Sequence, residues 1–497
     1  MPYLLGIDNG GTMTKAAIFT LDGREVVTAA RETPVQSPQE GCFERDMLDM
    51  WNTTAMCIRQ ALEKAGISGI EIAAIGCTGH GKGLYLWGKD DQPSYHAIAS
   101  TDHRAADIIR RWNADGTLDA ASKLALQPII DCQPVALLAW LKEHQPDVLS
   151  QVRWIFEAKD YIRFMLTGEA RAEVTDYSGT GLMNLNTQSF DKELLSLFGL
   201  ESLMDCLPPL CLSYDVAGHI NAKAAKLTGL CEGTPVCGGM FDIDACAVAM
   251  DVTRSEQLCT ITGTWSINEY PSNAPVRSDT STHNSLFCIP GVYLIEESSP
   301  TSAGNLEWFL QNFMKTEKER AKKEGRSFYD EINQLVDQLS PADSNVLFMP
   351  FLYGSNTDPA LPAGFFGLSG SHSAPHMLRA IYEGVAFSHL WHIEKLLSFR
   401  TPPTAVRMAG GAVNSSVWVQ MFADIINMPI ETVATKELGA KGCAMAAAIA
   451  AGIYTDYQDA ADAMVTISST IYPRREYAEI YRKKYQCYKE LLNRLTK

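Results

Sequence analysis

The chain has 497 residues, 46% of them apolar and 20% charged, with 42 basic against 58 acidic side chains and a formal net charge of −16. These proportions exclude a disordered, collagenous or coiled-coil chain, and the length allows two large domains, each with its own core. The acidic balance argues against a nucleic-acid or anionic-membrane partner, yet leaves room for an anionic ligand held by backbone N–H groups.

Thirteen cysteines, an odd number without a CxxC pair, point to a reducing compartment rather than a disulfide scaffold or a zinc ribbon. No signal peptide opens the sequence and no apolar run approaches about 18 residues, so a cytoplasmic protein without a membrane span is expected.

Residues 3–8 form a short apolar run ending in Asp8-Asn9-Gly10-Gly11-Thr12. Residues 15–21 and 25–33 read as two further strands across an Asp22-Gly23 turn. Residues 46–65 carry apolar side chains at helical spacing (Leu48, Trp51, Ala55, Ile58, Leu62), and 70–75 read as a buried strand. That order indicates a mixed α/β sheet. Helices are expected over 102–112, 134–143 and 158–167. Residues 236–239 read as a strand entering a glycine turn with Asp242 beyond it, and 257–262 as a strand leading into Gly263-Thr264-Trp265. This second strand–Gly–Thr element resembles the first, which suggests two similar halves meeting near residues 248–256.

The charged stretch 317–326 reads as a solvated helix end or exposed loop. Next come a strand over 346–350, a Pro/Gly-rich loop over 356–370 and a long helix over 375–397. A strand over 406–409 ends in Gly410-Gly411-Ala412. Helices over 416–428 and 439–452 follow, the latter built of small residues suited to close packing.

Residues 76–83, GCTGHGKG, come near a phosphate-binding P-loop. The hydroxyl position is Gly83, however, and a strand rather than a helix follows, so that reading is rejected. The glycines can still shape a pocket edge with His80 and Lys82 pointing in; a surface turn is the plain alternative. Asp8-Asn9-Gly10-Gly11-Thr12 offers backbone N–H groups and a hydroxyl to phosphate, and Asp8 a carboxylate to hydrated Mg²⁺. Gly263-Thr264 offers the same, so two turns could clamp one polyphosphate between halves. Asp242 or Asp244 could take a proton from an attacking hydroxyl, although either could equally cap a turn. His372 with His376 and His389 with His392 have helical spacing but lack the further ligands of a zinc site.

Together these segments resemble the FGGY carbohydrate kinases. LLGIDNGGTMTKAAIF, GCFERDMLDMW (41–51), KDYIRFMLTGEARAEVTDYSGT (159–180), CGGMFDIDA (237–245), AGFFGLSGSHSAPHMLRAIYE (363–383), RMAGGAVNSSVWVQMFADI and ELGAKGCAMAAA occur in the family's order. Within the family, GKGLYLW, SPTSAGNLEWF (299–309) and PFLYGSN (350–356) look most like L-xylulose kinase, although Gly79-His80 replaces its Ala-Gln.

The resemblance implies two actin-like, ribonuclease-H-like domains, 1–250 and 251–497, with ATP and sugar in the cleft between them. It implies Asp242 as general base and Asp8 with Asp242 near Mg²⁺. Gly10, Gly11, Thr12, Lys15, Gly263, Thr264 and Gly304 would face the nucleotide phosphates, and Gly410, Gly411, Ala412 and Asn414 the adenosine. His80, Lys82, Asp102 and Asp176 fall where relatives contact sugar. Gly81 and Lys82 stand where glycerol kinase has an arginine and a glutamate, which disfavours glycerol. The expected activity is ATP-dependent phosphorylation of a ketopentose such as L-xylulose. The alternatives are an erythritol- or glycerol-type polyol kinase and a non-transferring actin-like ATP sensor. A homodimer is the oligomeric state that the family suggests.

Overall fold

The computed structural model describes residues 2–263, 265–277, 282–355 and 361–496. Two seven-stranded mixed sheets organise them. The first contains β1 (Tyr3–Asn9), β2 (Met13–Thr20), β3 (Glu25–Glu32), β4 (Ile72–Gly79), β5 (Val216–His219), β6 (Pro235–Cys237) and β7 (Met240–Phe241). The second contains β8 (Cys259–Thr262), β9 (Ser266–Ser272), β10 (His283–Leu286), β11 (Tyr293–Ser299), β12 (Val406–Gly410), β13 (Ile430–Val433) and β14 (Ile467–Ile471).

The halves repeat one topology. The order β3-β2-β1-β4-β6-β5 runs antiparallel, antiparallel, parallel, parallel, antiparallel. The order β11-β9-β8-β12-β13-β14 follows the same sequence of pairings. The likeness of the two strand–Gly–Thr elements is thus the local trace of a repeated sheet. Within each sheet the central parallel strands end side by side: Asp8 lies opposite Thr78 and Asn9 opposite Gly79, and Thr262 lies opposite Gly410. Loops leaving the carboxyl ends of such strands form the ligand crevice of open α/β sheets.

Seven helices matter for the site: α1 (Met47–Ala65), α2 (Ala158–Thr167), α3 (Asp242–Ala249), α4 (Gly304–Phe313), α5 (Ala374–Leu397), α6 (Ser416–Ile426) and α7 (Leu438–Ala450). Helix α1 starts where Asp46 accepts the Asp49 N–H and stops at Gly66 in the left-handed region, an ordinary capped helix.

Helix α7 is the small-residue helix, and its backbone lies against both β1 and β4. A Cβ on Gly6 would run into the Ala440 carbonyl, and one on Gly76 into that of Cys443. On its other side α7 touches α3, where a Cβ on Gly442 would overlap the Ala245 carbonyl. A helix from the second half of the chain is therefore wedged between the first sheet and α3, and only small side chains permit that distance.

Four sequence expectations change. The helix expected from 102 begins at Ala106, because the Asp102 carboxylate is engaged elsewhere. The strand expected over 70–75 begins at Ile72 and runs to Gly79, leaving Ile70 exposed. The loop over 356–370 lies partly outside the described residues; its Gly364–Phe366 segment pairs with Leu347–Met349 as a short ladder. The charged stretch becomes the helix Lys315–Lys323, with one buried side chain, Ala321.

Candidate active site

The first carboxylate comes from the end of β1. Asp8 lies across from Lys15 on β2, and Lys15 Nζ reaches Glu437 Oε2 at 2.8 Å, tying the turn before α7 to the first sheet. Burial pushes the Asp8 carboxyl up to about 6 against the opposing pull of Lys15. The turn that follows folds back with the Gly10 N–H donating to the Met13 carbonyl at 3.0 Å. Gly11 and Thr12 are exposed, and a Cβ at Gly11 would meet nothing within 4 Å.

The second carboxylate, Asp242, opens α3. The strand before it is pinned on both sides. Gly239 sits at φ +74° with no room for a Cβ against the Cys77 carbonyl, and the Phe241 N–H donates to Thr175 Oγ1 at 2.9 Å. Because β7 pairs with β4 as Met240 with Thr78, and Thr78 lies opposite Asp8, Asp242 emerges beside Asp8. Burial raises the Asp242 carboxyl well above the usual range, helped by the charges of Asp8 and Asp176 and opposed by the Ile243 N–H and Lys82. Asp244, two residues on, is fully buried and accepts the Cys288 N–H at 3.2 Å, so it belongs to the core.

The third wall is the loop after β4. His80 is buried, with Nε2 2.8 Å from the Tyr85 hydroxyl; burial, reinforced by the Arg45 charge, lowers its pKa to about 3, so the ring is neutral. A Cβ at Gly81 would press into the Phe241 ring and lie 2.9 Å from Asp176 Oδ1, so the backbone there must be bare. Lys82 follows at φ +65°, and its ammonium lies 5.6 Å from the Trp265 ring centroid in the second half. Trp265 in turn accepts the Gly263 N–H on its carbonyl at 3.2 Å. The loop after β4 and the turn after β8 therefore meet at one tryptophan.

Asp176 is buried in an ionic cluster. Lys159 Nζ lies 3.1 Å from Asp160, 3.3 Å from Glu173 and 3.3 Å from Asp176, and Arg163 pairs with Asp160 at 2.7 Å. Burial raises the Asp176 carboxyl to about 7 against the attraction of Lys159. Lys159 is the shared counter-charge of three carboxylates. Lys159→Met should lower stability by about 3–5 kcal/mol, since removing one member leaves buried charge uncompensated. The urea midpoint reports it; an unchanged midpoint would contradict the hub role.

Asp102 is placed differently. Its Oδ2 accepts the Phe43 N–H at 2.7 Å and Arg104 Nη2 at 2.9 Å, and its Oδ1 accepts the Arg104 N–H and Nε, each at 2.9 Å. Both oxygens are saturated by protein, so Asp102 shapes the wall rather than offering a free acceptor. Arg104 continues to Glu44 at 2.8 Å.

In the second half, Thr262, Gly263, Gly304, Glu307, Asn333, Gly411, Asn414 and Trp418 are among the residues lining a cavity of about 660 Å³, a size that suits a nucleoside. Gly410, at φ +95°, would put a Cβ 2.5 Å from the Thr262 carbonyl oxygen; the two parallel strands can end together only with glycine there. Beneath the cavity Tyr382 and Trp418 stack with centroids 4.2 Å apart. Asn333 Oδ1 accepts from the Tyr382 and Ser415 hydroxyls at 3.0 and 2.6 Å. Ala412 is buried in the hydrophobic core and does not line the cavity. Thr264 lies outside the described residues.

The histidines find other work: His376 closes the capping box of α5 with Ser373, and His389 is held by Thr260, Ser266, Asn268 and Ser302. Sequence reasoning did not single out Arg45, Lys159, Phe241, Trp265, Tyr382 or Trp418. All six lie inside segments quoted above, but their partners in the fold are mostly distant in sequence.

The two repeated sheets each end their central parallel strands side by side, in a two-lobed α/β architecture. Over 100% of this chain and 99% of the other, the structure is similar to xylulose kinase from Lactobacillus acidophilus, with a TM-score of 0.91 at 23% identity. Residues 3–249 match the N-terminal domain, and residues 258–451 the C-terminal domain, of the FGGY family of carbohydrate kinases. The chain belongs to that family and is a sugar-phosphorylating enzyme. Among curated relatives it is 36% identical to L-xylulose/3-keto-L-gulonate kinase of Escherichia coli strain K12, over 99% of this chain and 96% of the relative. It is 38% identical to the probable L-xylulose kinase of Haemophilus influenzae, over 90% of each chain. No helix among the described residues is long and apolar enough to cross a membrane, and all thirteen cysteines are free.

Proposed function

We propose that the protein transfers the terminal phosphoryl group of ATP to a hydroxyl of a ketopentose, L-xylulose first, with Asp242 as the general base. Residues 1–250 supply the sugar site and the base, and residues 251–497 the nucleotide site. The observation that carries this reading is that paired strand ends set Asp242 beside Asp8, while the loop at Lys82 is joined through Trp265 to the turn at Gly263.

The substrate hydroxyl oxygen bonds to the terminal phosphorus while the bond from phosphorus to the leaving ADP oxygen breaks, and Asp242 takes the hydroxyl proton. Burial raises the Asp242 carboxyl, helped by the charges of Asp8 and Asp176, so it holds a proton more readily than an ordinary carboxylate. Gly263 and the Gly10–Thr12 turn offer backbone N–H groups to phosphate oxygens. Gly411 and Asn414 border the space for the nucleoside.

Asp8 and Asp242 fit a divalent cation. They are neighbouring acids whose mutual repulsion an ion would relieve. That pattern suits Mg²⁺, which takes one or two carboxylates together with substrate phosphates. When bound, Mg²⁺ supplies charge neutralisation on the phosphates. The free cysteines accord with a reducing compartment such as the cytoplasm.

Coupled ADP release over L-xylulose, D-xylulose, L-ribulose, erythritol and glycerol tests the substrate. The highest kcat/KM is expected for L-xylulose; a preference for erythritol or glycerol would replace the ketopentose with a polyol.

The linkage of Asp8 supplies a separate check. Its folded pKa of about 6 lies above the ordinary 3.8, so the folded state binds the proton more tightly. Stability is therefore lost as pH rises through that window. Asp8→Asn should raise the melting temperature of the ligand-free protein at pH 7.5, and the gain should fade as pH falls from about 6 toward 4. A gain that grows on acidification would contradict the assignment.

A further inference from the structure

The ring of Tyr85 is fully buried, but its hydroxyl is not needed for packing. The short strand Tyr85–Gly88 pairs antiparallel with Val152–Phe156, with Tyr85 opposite Phe156. The Tyr85 ring stacks on Tyr161 with centroids 6.1 Å apart, and Tyr161 is itself anchored, its hydroxyl donating to the Met47 carbonyl at 2.8 Å. A phenylalanine would fill the same space. The Tyr85 hydroxyl lies 2.8 Å from His80 Nε2. It also hydrogen-bonds the Arg45 guanidinium, which donates through Nη1 to the Gly10 carbonyl at 3.2 Å. A chain of contacts thus runs from Arg45 through Tyr85 to His80.

The proton positions along this chain follow from what each group can do. A guanidinium only donates, so the Tyr85 oxygen accepts from Arg45 and its single proton goes to His80 Nε2. The His80 ring is buried and neutral, and a neutral imidazole carries a proton on one nitrogen alone. With Nε2 accepting, that proton sits on Nδ1, because the hydrogen bond at one ring nitrogen decides the state of the other. Nδ1 reaches the Gly81 carbonyl at 3.4 Å, longer than an ordinary N–H···O bond, which leaves the donor available to a ligand. Gly81 lies against Phe241 and Asp176: an added Cβ would be 2.4 Å from the Phe241 ring and 2.9 Å from Asp176 Oδ1. The His80 backbone is fixed as well, its N–H donating to the Asn9 carbonyl at 3.1 Å.

We propose that Tyr85 is a positioning residue of the sugar site: its hydroxyl donates to His80 Nε2 and so holds the imidazole with its proton on Nδ1, as a donor to an oxygen of the bound sugar. This rests on the kinase reading above, in which His80 faces the sugar, and it assigns a role to a residue that does not itself touch substrate.

The test joins a spectroscopic signature to a double-mutant cycle. Long-range ¹H–¹⁵N spectra of the ligand-free wild type labelled with [¹⁵N]histidine, assigned by the signals that His80→Gln removes, should show His80 with a protonated Nδ1 and an unprotonated, accepting Nε2. In Tyr85→Phe that fixed pattern should be lost. Tyr85→Phe should also lower kcat/KM on L-xylulose by about tenfold, mainly through KM, the usual scale for one hydrogen bond. A glutamine at position 80 carries its amide donor permanently and has no tautomer to set. In the His80→Gln background the same Tyr85→Phe change should therefore alter kcat/KM by less than about twofold, a coupling that packing alone would not produce.

A wild-type His80 protonated on Nε2 overturns the proposal, and that spectrum decides the point even if Tyr85→Phe does not fold. Equal losses from Tyr85→Phe in both backgrounds also overturn it, since the hydroxyl would then act on the fold and not through His80. Turnover of no sugar by the wild type would mean that the kinase reading itself has failed, and the proposal with it.

Discussion

Asp242→Asn should lower sugar-dependent ADP release by about 10²–10⁴-fold, the range typical of losing a positioned general base, while ATP binding stays within a few-fold of wild type. The amide keeps the size and the helix-opening position of the carboxylate, so α3 should start where it does now. It also removes the charge that Asp8 and Asp176 oppose. The melting temperature at neutral pH should therefore hold or rise. Lost turnover without lost stability is the signature of a group retained for chemistry despite its environment. Turnover within tenfold of wild type would remove Asp242 from the role of base. In the wild type, kcat/KM should fall as pH drops, because protonating a raised carboxyl disables it as an acceptor.

Gly442→Val is expected to have the largest effect on stability, a loss of at least about 3 kcal/mol through overpacking against backbone. The added Cβ would overlap the Ala245 carbonyl of α3. Helix α7 cannot retreat, because Gly6 and Gly76 of the first sheet already meet its own carbonyls at Ala440 and Cys443. Any shift must move α3, which carries Asp242, relative to β1, which carries Asp8. Activity should therefore fall along with the urea midpoint. Gly370→Ala is the control: an added Cβ there meets nothing within 4 Å and the residue has no positive φ, so its midpoint should stay within about 0.5 kcal/mol of wild type. A Gly442→Val midpoint equal to that of the control would show that the wedge has slack.

The parts of the fold legible in the sequence are those set by local rules. Strands β1 to β3 announce themselves by apolar runs broken at Gly10-Gly11 and Asp22-Gly23, and α1 by Asp46 at its cap and apolar spacing along its length. The helix expected from residue 102 failed for an equally physical reason. Asp102 has the composition of a helix cap, but its carboxylate is taken by the Phe43 N–H and by Arg104, and the helix waits until Ala106. Sheet repetition was visible only as two glycine turns, because strand order is a matter of long-range pairing.

The candidate site divides along the same line. Asp8, Asp242, Gly263 and Gly410 could be picked out because glycine turns at strand ends mark where backbone can approach a ligand. Asp242 and Asp244 were equal candidates by sequence, and helix geometry separated them by turning one toward Asp8 and the other toward Cys288. Lys159, Arg45 and Trp265 were not singled out. What distinguishes them is a distant or shared partner, and partners such as Glu173 for Lys159 or Lys82 for Trp265 are determined by the folded chain alone.

The central claim is transfer of a phosphoryl group to sugar, as opposed to nucleotide binding or hydrolysis alone. The most direct measurement is ³¹P NMR of the wild-type protein with ATP, Mg²⁺ and L-xylulose, following every phosphorus species in one sample. The account predicts one new phosphomonoester for each ADP formed and no inorganic phosphate beyond the sugar-free background. Formation of ADP with inorganic phosphate in place of the ester, or bound ATP that stays intact with every sugar offered, would contradict it.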